Sequence, residues 1–278
     1  MEAPRRLIVT DQLAQVPYTE RQDGLHYDVP FEDYLRWPVI SQSALKEGRR
    51  SMAHFRAAVL GERTKTPTDD MILGSAIHTC FLEPRSAQDR IAVWTGGRRF
   101  GKEWEAFKAE NPGRILLTEN QSEKLYGMVQ SLRLHPEVRK WSDNIEAVEV
   151  SALGAVHGLR MRGRCDALTP DPLIDLKKVA DGSAYKVVRS VLDYGYDVQA
   201  WVYCQLFNRD RFMLITVEDE PPFDVAAYEL SPGFMRRGER IAKELIDDVL
   251  MCESTGIWPG RATAPVLLEP PDYAIDDE

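Results

Sequence analysis

The stretch that most constrains the fold is Arg164-Cys165-Asp166-Ala167-Leu168, a turn at Pro170-Asp171-Pro172, and then Leu173-Ile174-Asp175-Leu176-Lys177. Two short apolar-rich segments joined by a proline turn read as neighbouring strands, with Asp166 on the first and Asp175 on the second. Side chains alternate along a strand, which puts Asp175 and Lys177 on one face and turns Ile174 and Leu176 towards a core. A buried strand rarely carries two charges on one face for packing alone. Two carboxylates that meet at a strand end make a hard-oxygen site for Mg²⁺ or Mn²⁺. A lysine two residues on can hold or deprotonate a metal-bound water, and together these groups are equipment for phosphodiester hydrolysis. A cross-strand salt bridge on a solvated sheet face accounts for the same residues equally well.

The 278 residues are 44% apolar, enough to bury a substantial core in one domain with helical additions. No run of about 18 apolar residues offers a membrane span. Met1-Glu2-Ala3-Pro4-Arg5-Arg6 lacks the apolar centre of a signal peptide, so a cytoplasmic location without membrane contact is expected. Cys80, Cys165, Cys204 and Cys252 are dispersed without a C-x-x-C pair, which points to reduced core residues and not to a zinc ribbon or disulfide framework. Lys+Arg 35 against Asp+Glu 44 gives a formal charge of -9, which argues against a surface that coats nucleic acid as a whole. A DNA enzyme of this charge needs its basic residues gathered in a groove or channel.

Along the chain, residues 1–38 carry Pro17, Pro30 and Pro38 among Tyr18, Tyr27, Phe31, Tyr34 and Trp37, the pattern of an irregular arm packed on the body. Ser41 is placed to cap a helix through Leu45, and a second helical stretch runs to Leu60. Arg49 and Arg50, near these helices, suit phosphate contacts or plain solvation. Gly74 to Glu83 reads as a largely buried helix on which Gly74 and His78 share a face, leaving room in front of the imidazole. A single buried histidine suits a satisfied core group as well as a ligand. Residues 95–114, with Arg98 and Arg99 among glycines, read as a mobile loop before a short helix; Thr118 and Gln121 have capping-box spacing for a helix to about Leu134.

From Ile145 the pattern changes to short alternating segments, Ile145 to Leu153, Leu159 to Leu168 and Leu173 to Lys177, read as an antiparallel meander. Arg160, Arg162 and Arg164 share one face of the second segment, as a basic stripe or a solvated face. Helices are expected from Ser183 to about Leu192 and from Asp197 to Phe207, the latter with Gln199 and Tyr203 one turn apart. Strands follow at Phe212 to Val217 and Asp224 to Leu230, and a long helix from Pro232 to about Glu253 stops at Gly256. The tail after Trp258-Pro259-Gly260 reads as loose. Strand, helix, strand order around Asp-Leu-Lys predicts a mixed α/β sheet.

Taken together, several of these segments resemble the PD-(D/E)XK nuclease superfamily, and within it the phage and prophage exodeoxyribonuclease VIII (RecE-like) group. The segments are Ile40-Ser41-Gln42-Ser43-Ala44-Leu45, Gly74-Ser75-Ala76-Ile77-His78 with Leu82-Glu83-Pro84, Gly163-Arg164-Cys165-Asp166, Ile174-Asp175-Leu176-Lys177, Tyr196 to Tyr203, Glu218 to Pro222, and Thr255 to Gly260. The resemblance implies an α/β (α+β) fold with a restriction-endonuclease-like core, a central mixed β-sheet flanked by helices. It divides the chain into an N-terminal arm (1–38), an exonuclease domain (39–260) and a C-terminal tail (261–278). It also implies that Asp166, Asp175, the main-chain carbonyl of Leu176 and His78 bind Mg²⁺, for which Mn²⁺ can substitute, and that Lys177 positions or activates the attacking water. Gln199 and Tyr203 match a Gln-x-x-x-Tyr motif that would orient the lysine, water or scissile phosphate. Lys178 stands where many relatives have threonine, and the Asp166 to Asp175 segment is compact.

The expected activity is a 5′→3′ exonuclease on linear double-stranded DNA that leaves 3′ single-stranded tails. The implied partners are DNA ends, a RecT-like single-strand annealing protein, and further copies of the chain, arranged as a ring whose channel candidates are Arg49, Arg50, Arg98, Arg99 and Arg160. Two other readings stand beside it. One is a CRISPR-adaptation or helicase-associated nuclease, whose usual four cluster-binding cysteines are not grouped here; the other is a DNA-binding or assembly protein that keeps the fold without catalysis.

Overall fold

Apolar stretches with period two and period 3.6 alternate through the second half of the chain, and their pairing sets the architecture. The computed structural model describes residues 22–62, 66–262 and 264–270. Pro17 and Tyr18 of the expected arm, and the acidic end Asp276-Asp277-Glu278 of the expected tail, lie outside the described residues. The strands are β1 (Gly24–His26), β2 (Ile40–Ser41), β3 (Ile91–Trp94), β4 (Ile115–Thr118), β5 (Ala147–Val156), β6 (Leu159–Leu168), β7 (Leu173–Val179), β8 (Phe212–Glu218) and β9 (Val225–Glu229).

The main sheet runs β1-β5-β6-β7-β8-β9, with β2 attached in parallel to β6. Neighbours are antiparallel except β7 and β8, whose parallel pairing requires the crossover supplied by the helices Ala184–Tyr194 and Tyr196–Phe207. β3 and β4 form a separate parallel pair. This is the mixed sheet flanked by helices that the sequence leads one to expect.

Two apolar layers cover the two sides of the sheet. One joins Leu45, Phe55, Val150, Met161, Val198, Val202, Phe207, Phe212, Ile246 and Val249. The other joins Leu73, Ile77, Leu117, Met128, Leu132, Ile174, Leu176 and Val217. β7 lies between them, with Leu173, Ile174, Asp175 and Leu176 all nearly inaccessible. Its charged face is therefore buried, which removes the solvated-face reading of Asp175.

The Tyr196–Phe207 helix is buried on nearly every side, as expected of a helix without a polar stripe. It reaches β6 because Gly163 leaves room: a Cβ there would stand 2.9 Å from Leu206 and 3.0 Å from the Tyr203 ring. The Asp69–Leu82 helix starts at Thr68, whose side chain accepts from the Met71 N–H, and buries Leu73, Ala76, Ile77 and Thr79. The capping box of Thr118 and Gln121 opens Glu119–Leu134 as expected.

One expectation needs correction. Residues 22–38 are not irregular: β1 pairs antiparallel with β5 at Gly24↔Leu153, and Phe31–Leu35 forms a short helix. No helix among the described residues is long and apolar enough to cross a membrane.

Candidate metal centre

β6 and β7 pair in register only at Ala167↔Ile174. Beyond that point the Asp166 carboxylate fills the gap, its Oδ2 accepting the Leu176 N–H at 2.7 Å. Asp175 is the cross-strand neighbour of Asp166 by the same register and is only 3% exposed. Gln199 Nε2 donates to Asp175 Oδ1 at 2.7 Å, and Lys177 Nζ lies 2.6 Å from Asp175 Oδ2. Beyond this ion pair Oδ2 meets no further polar partner among the described residues. Lys177 also stands over the Tyr196 ring, 5.2 Å from its centroid.

His78 enters from the Asp69–Leu82 helix. Its Nε2 lies 3.0 Å from the Leu176 carbonyl oxygen. A carbonyl only accepts, so Nε2 carries the proton in this bond, leaving Nδ1 turned to Asp166 Oδ1 at 3.6 Å and Glu149 Oε1 at 3.7 Å. The space in front of Gly74 is open, as its place on the His78 face suggested. The Leu176 carbonyl, expected as a metal ligand, thus fixes the orientation of the imidazole.

Sequence reasoning missed Glu149. It faces Asp166 across β5 and β6, between the paired positions Val148↔Ala167 and Val150↔Cys165. Its φ is +53°, a left-handed conformation rare for a side chain with a Cβ and frequent where function imposes it. Arg164 Nε donates to Glu149 Oε2 at 2.7 Å. The only signal in the sequence was an acidic residue in an alternating strand, which a solvated face explains just as well.

Buried carboxylates around one imidazole shift one another. Burial works against a charge on His78, but the Asp166 charge and the Glu149 contact prevail and raise its pKa to about 9. Burial, with help from Asp175 and against His78, raises Asp166 to about 7. Glu149 is held low against its burial by His78 and Arg164. Burial opposes the charge on Lys177, and Asp175 and Asp166 outweigh it, so the ammonium is firmly retained.

His78, Glu149 and Asp166 each offer one ligand atom, all within 4.8 Å of one another. Ligands about 2.4 Å from one hard cation reach across such a span. Carboxylate oxygens suit hard ions such as Mg²⁺ or Mn²⁺ and the imidazole adds a softer nitrogen, so the donor set fits a divalent metal. Asp175 stands beside this group, tied to Gln199 and Lys177. Tyr203, one turn beyond Gln199, is 6% exposed and packs against Phe207 and Phe212 at the back of the site.

The arginine stripe on β6 proves to be neither solvated nor free for a ligand. Arg160 bonds Asp23, and Arg162 bonds the carbonyls of Tyr34, Leu35 and Trp37. Arg164 adds the Val29 carbonyl to Glu149. Sequence periodicity correctly puts the three on one face, and the 22–37 segment then covers it. Elsewhere Arg99 holds Asp69 and Gln121, and Arg50 holds Glu47.

Residues 41–265 match the family described as a PDDEXK-like domain of unknown function (DUF3799). The chain belongs to this PDDEXK-like family. That family membership supports the superfamily part of the resemblance and does not extend to the RecE-like group. Among solved structures, a candidate exonuclease from Eubacterium rectale is similar over 89% of this chain and 97% of its own, with a TM-score of 0.62 at 13% identity. At that identity the likeness shows the PDDEXK-like fold alone. LHK-Exo in complex with dAMP covers 78% of this chain and 90% of its own at 11% identity, and its TM-score of 0.38 carries no argument. No curated protein matches the chain.

Proposed function

We propose that this PDDEXK-like chain is a metal-dependent DNA exonuclease. The observation that carries the reading is the convergence of Asp166, Asp175 and Lys177 with His78 and Glu149 where β6 and β7 part, on a fold of the nuclease type. A divalent ion held by His78, Glu149 and Asp166, beside Asp175, would supply Lewis-acid stabilisation of a phosphoryl oxygen and a more acidic water. The chain's own groups do the positioning. Gln199 holds Asp175, Asp175 holds Lys177, and the Lys177 ammonium is aimed to hydrogen-bond the attacking water or a phosphoryl oxygen that gains charge. Water would add to phosphorus and give up a proton to solvent, the bond to the 3′ oxygen would break with that oxygen taking up a proton as a hydroxyl, and a 5′ phosphate would remain on the product.

The finer reading follows the RecE-like resemblance: 5′→3′ digestion of linear duplex by a homo-oligomer, with Mg²⁺ as the ion and a 3′ tail passed to an annealing protein in phage-type recombination. Of the arginines offered as channel residues, Arg49 and Arg98 are exposed and without a carboxylate partner among the described residues. The four cysteines belong to no metal-ligating group among the described residues, so nothing here favours the iron-sulfur type of relative.

An end-labelled linear duplex and a covalently closed circle, each with and without Mg²⁺, test the reading together with light scattering. We expect metal-dependent loss of the linear substrate from its 5′ ends by an oligomer that spares the circle. Rapid cutting of closed circles, or a strict monomer, would replace the ring exonuclease with an endonuclease, and no hydrolysis with Mg²⁺ would leave a DNA-binding protein.

A further inference from the structure

Beside the metal centre, a ledge of cations and aromatic rings remains without a role. Gly195, at a φ of +63°, joins the Ala184–Tyr194 helix to the Tyr196–Phe207 helix. The turn sets the Tyr194 and Tyr196 rings side by side, 5.7 Å between centroids, and leaves Tyr194 63% exposed. Lys46, from the Gln42–Glu47 helix, places its ammonium 5.7 Å from the Tyr196 centroid, over the same ring that Lys177 covers at 5.2 Å. Arg49 is steadied by the Leu192 carbonyl at 3.1 Å. The positive φ favours glycine at Gly195, and both cations close on the turn there, the Arg49 guanidinium standing 2.9 Å and the Lys46 stem 3.1 Å from where a Cβ would be.

Lys46 has no carboxylate partner among the described residues. Burial and the nearby Lys177 lower its pKa to about 8, against the more distant pull of Asp175 and Asp197. An exposed aromatic face next to two cations is the arrangement that binds unpaired nucleotides, since bases stack on rings and phosphates follow the cations. A base inside a duplex has both faces covered, so an unpaired or terminal base is what Tyr194 can receive.

We propose that Lys46, Arg49, Tyr194 and Tyr196 form a subsite for single-stranded DNA next to the bond that is cut, with a base on Tyr194 and the adjoining phosphate on Lys46 and Arg49. The inference rests on the nuclease reading for its place in the reaction. Its binding test does not.

Anisotropy of a labelled oligo(dT), read in metal-free buffer with the full chain, separates binding from hydrolysis. Tyr194→Ala and Lys46→Gln should each weaken binding about tenfold, and Tyr194→Phe, which keeps the ring, should bind like the wild type. Lys46→Gln should also lower the salt slope by about one, as loss of a single phosphate contact does. Circular dichroism and melting curves confirm that the variants fold. Unchanged affinity in folded Tyr194→Ala and Lys46→Gln overturns the subsite even if the wild type digests DNA. The expected losses in a protein that hydrolyses nothing uphold the subsite and sink the nuclease. No binding of oligo(dT) by the wild type overturns the ledge outright.

Discussion

Glu149 holds a left-handed φ in the middle of a strand, a conformation that costs a residue with a Cβ about 1 to 2 kcal/mol. The cost goes with a carboxylate that faces Asp166 and His78 and is clamped by Arg164. Glu149→Gln should therefore weaken Mn²⁺ binding about tenfold in calorimetry, and His78→Ala by a similar factor. Unchanged metal affinity in both variants would return the pair to structural roles. Asp175→Asn or Lys177→Ala should reduce DNA hydrolysis by about a hundredfold or more, because each removes charge preorganised at the reacting centre. Activity above about a tenth of wild type in either variant would refute the assignment. The metal-free protein should also show a pH signature. His78 is raised from its ordinary value of about 6.5 to about 9, so the folded state binds a proton that the unfolded state releases. That stabilisation is complete below pH about 6.5 and is lost as pH rises through about 9, so the melting temperature should fall across this window, and His78→Gln should flatten the fall. Asp166, Asp175 and Lys177 were legible as neighbours because strand alternation and a tight turn bring them together over a short span, whereas Gln199, 24 residues from Asp175, was singled out through the resemblance. Glu149 was not legible, since only the β5 to β6 register makes it a neighbour of Asp166.

At the scale of elements, the site depends on how closely one buried helix approaches its surroundings. Gly238, in the Pro232–Thr255 helix, touches the Asp197 backbone so closely that a Cβ would overlap the Asp197 carbonyl. Backbone cannot swing aside as a side-chain tip does, so Gly238→Ala must push the two helices apart. We expect a loss of about 1 to 3 kcal/mol in urea unfolding, together with reduced activity, because the displaced helix carries Gln199. Wild-type stability in Gly238→Ala would contradict this packing. Helix and strand positions were largely readable from periodicity and caps, as at Thr118 and Gly256. Pairing was not: nothing in Gly24–His26 marks it as a partner of β5, and the arginine stripe looked available because the sequence does not show what lies over a face.

For the whole molecule, a charge of -9 opposes DNA at large, and internal partners take Arg50, Arg99, Arg160, Arg162 and Arg164 out of ready phosphate contact. The affinity for duplex should depend only shallowly on salt, with a slope equivalent to fewer than about five phosphates per chain. A steeper slope in anisotropy titrations would mean that a basic surface forms between copies. The three-residue strand β1 has a further consequence for handling the protein. The family match begins at residue 41, yet Gly24–His26 caps part of the outer edge of β5, and its surroundings pair Arg160 with Asp23 and offer backbone carbonyls to Arg162 and Arg164. A fragment trimmed to the family boundary would bare the β5 edge at Ser151, Ala152 and Leu153 and strip Arg160 and Arg162 of their partners, while Glu149 still holds Arg164. Such an edge recruits strands from other chains, so the trimmed fragment should clump during purification where one that starts at residue 22 stays dispersed.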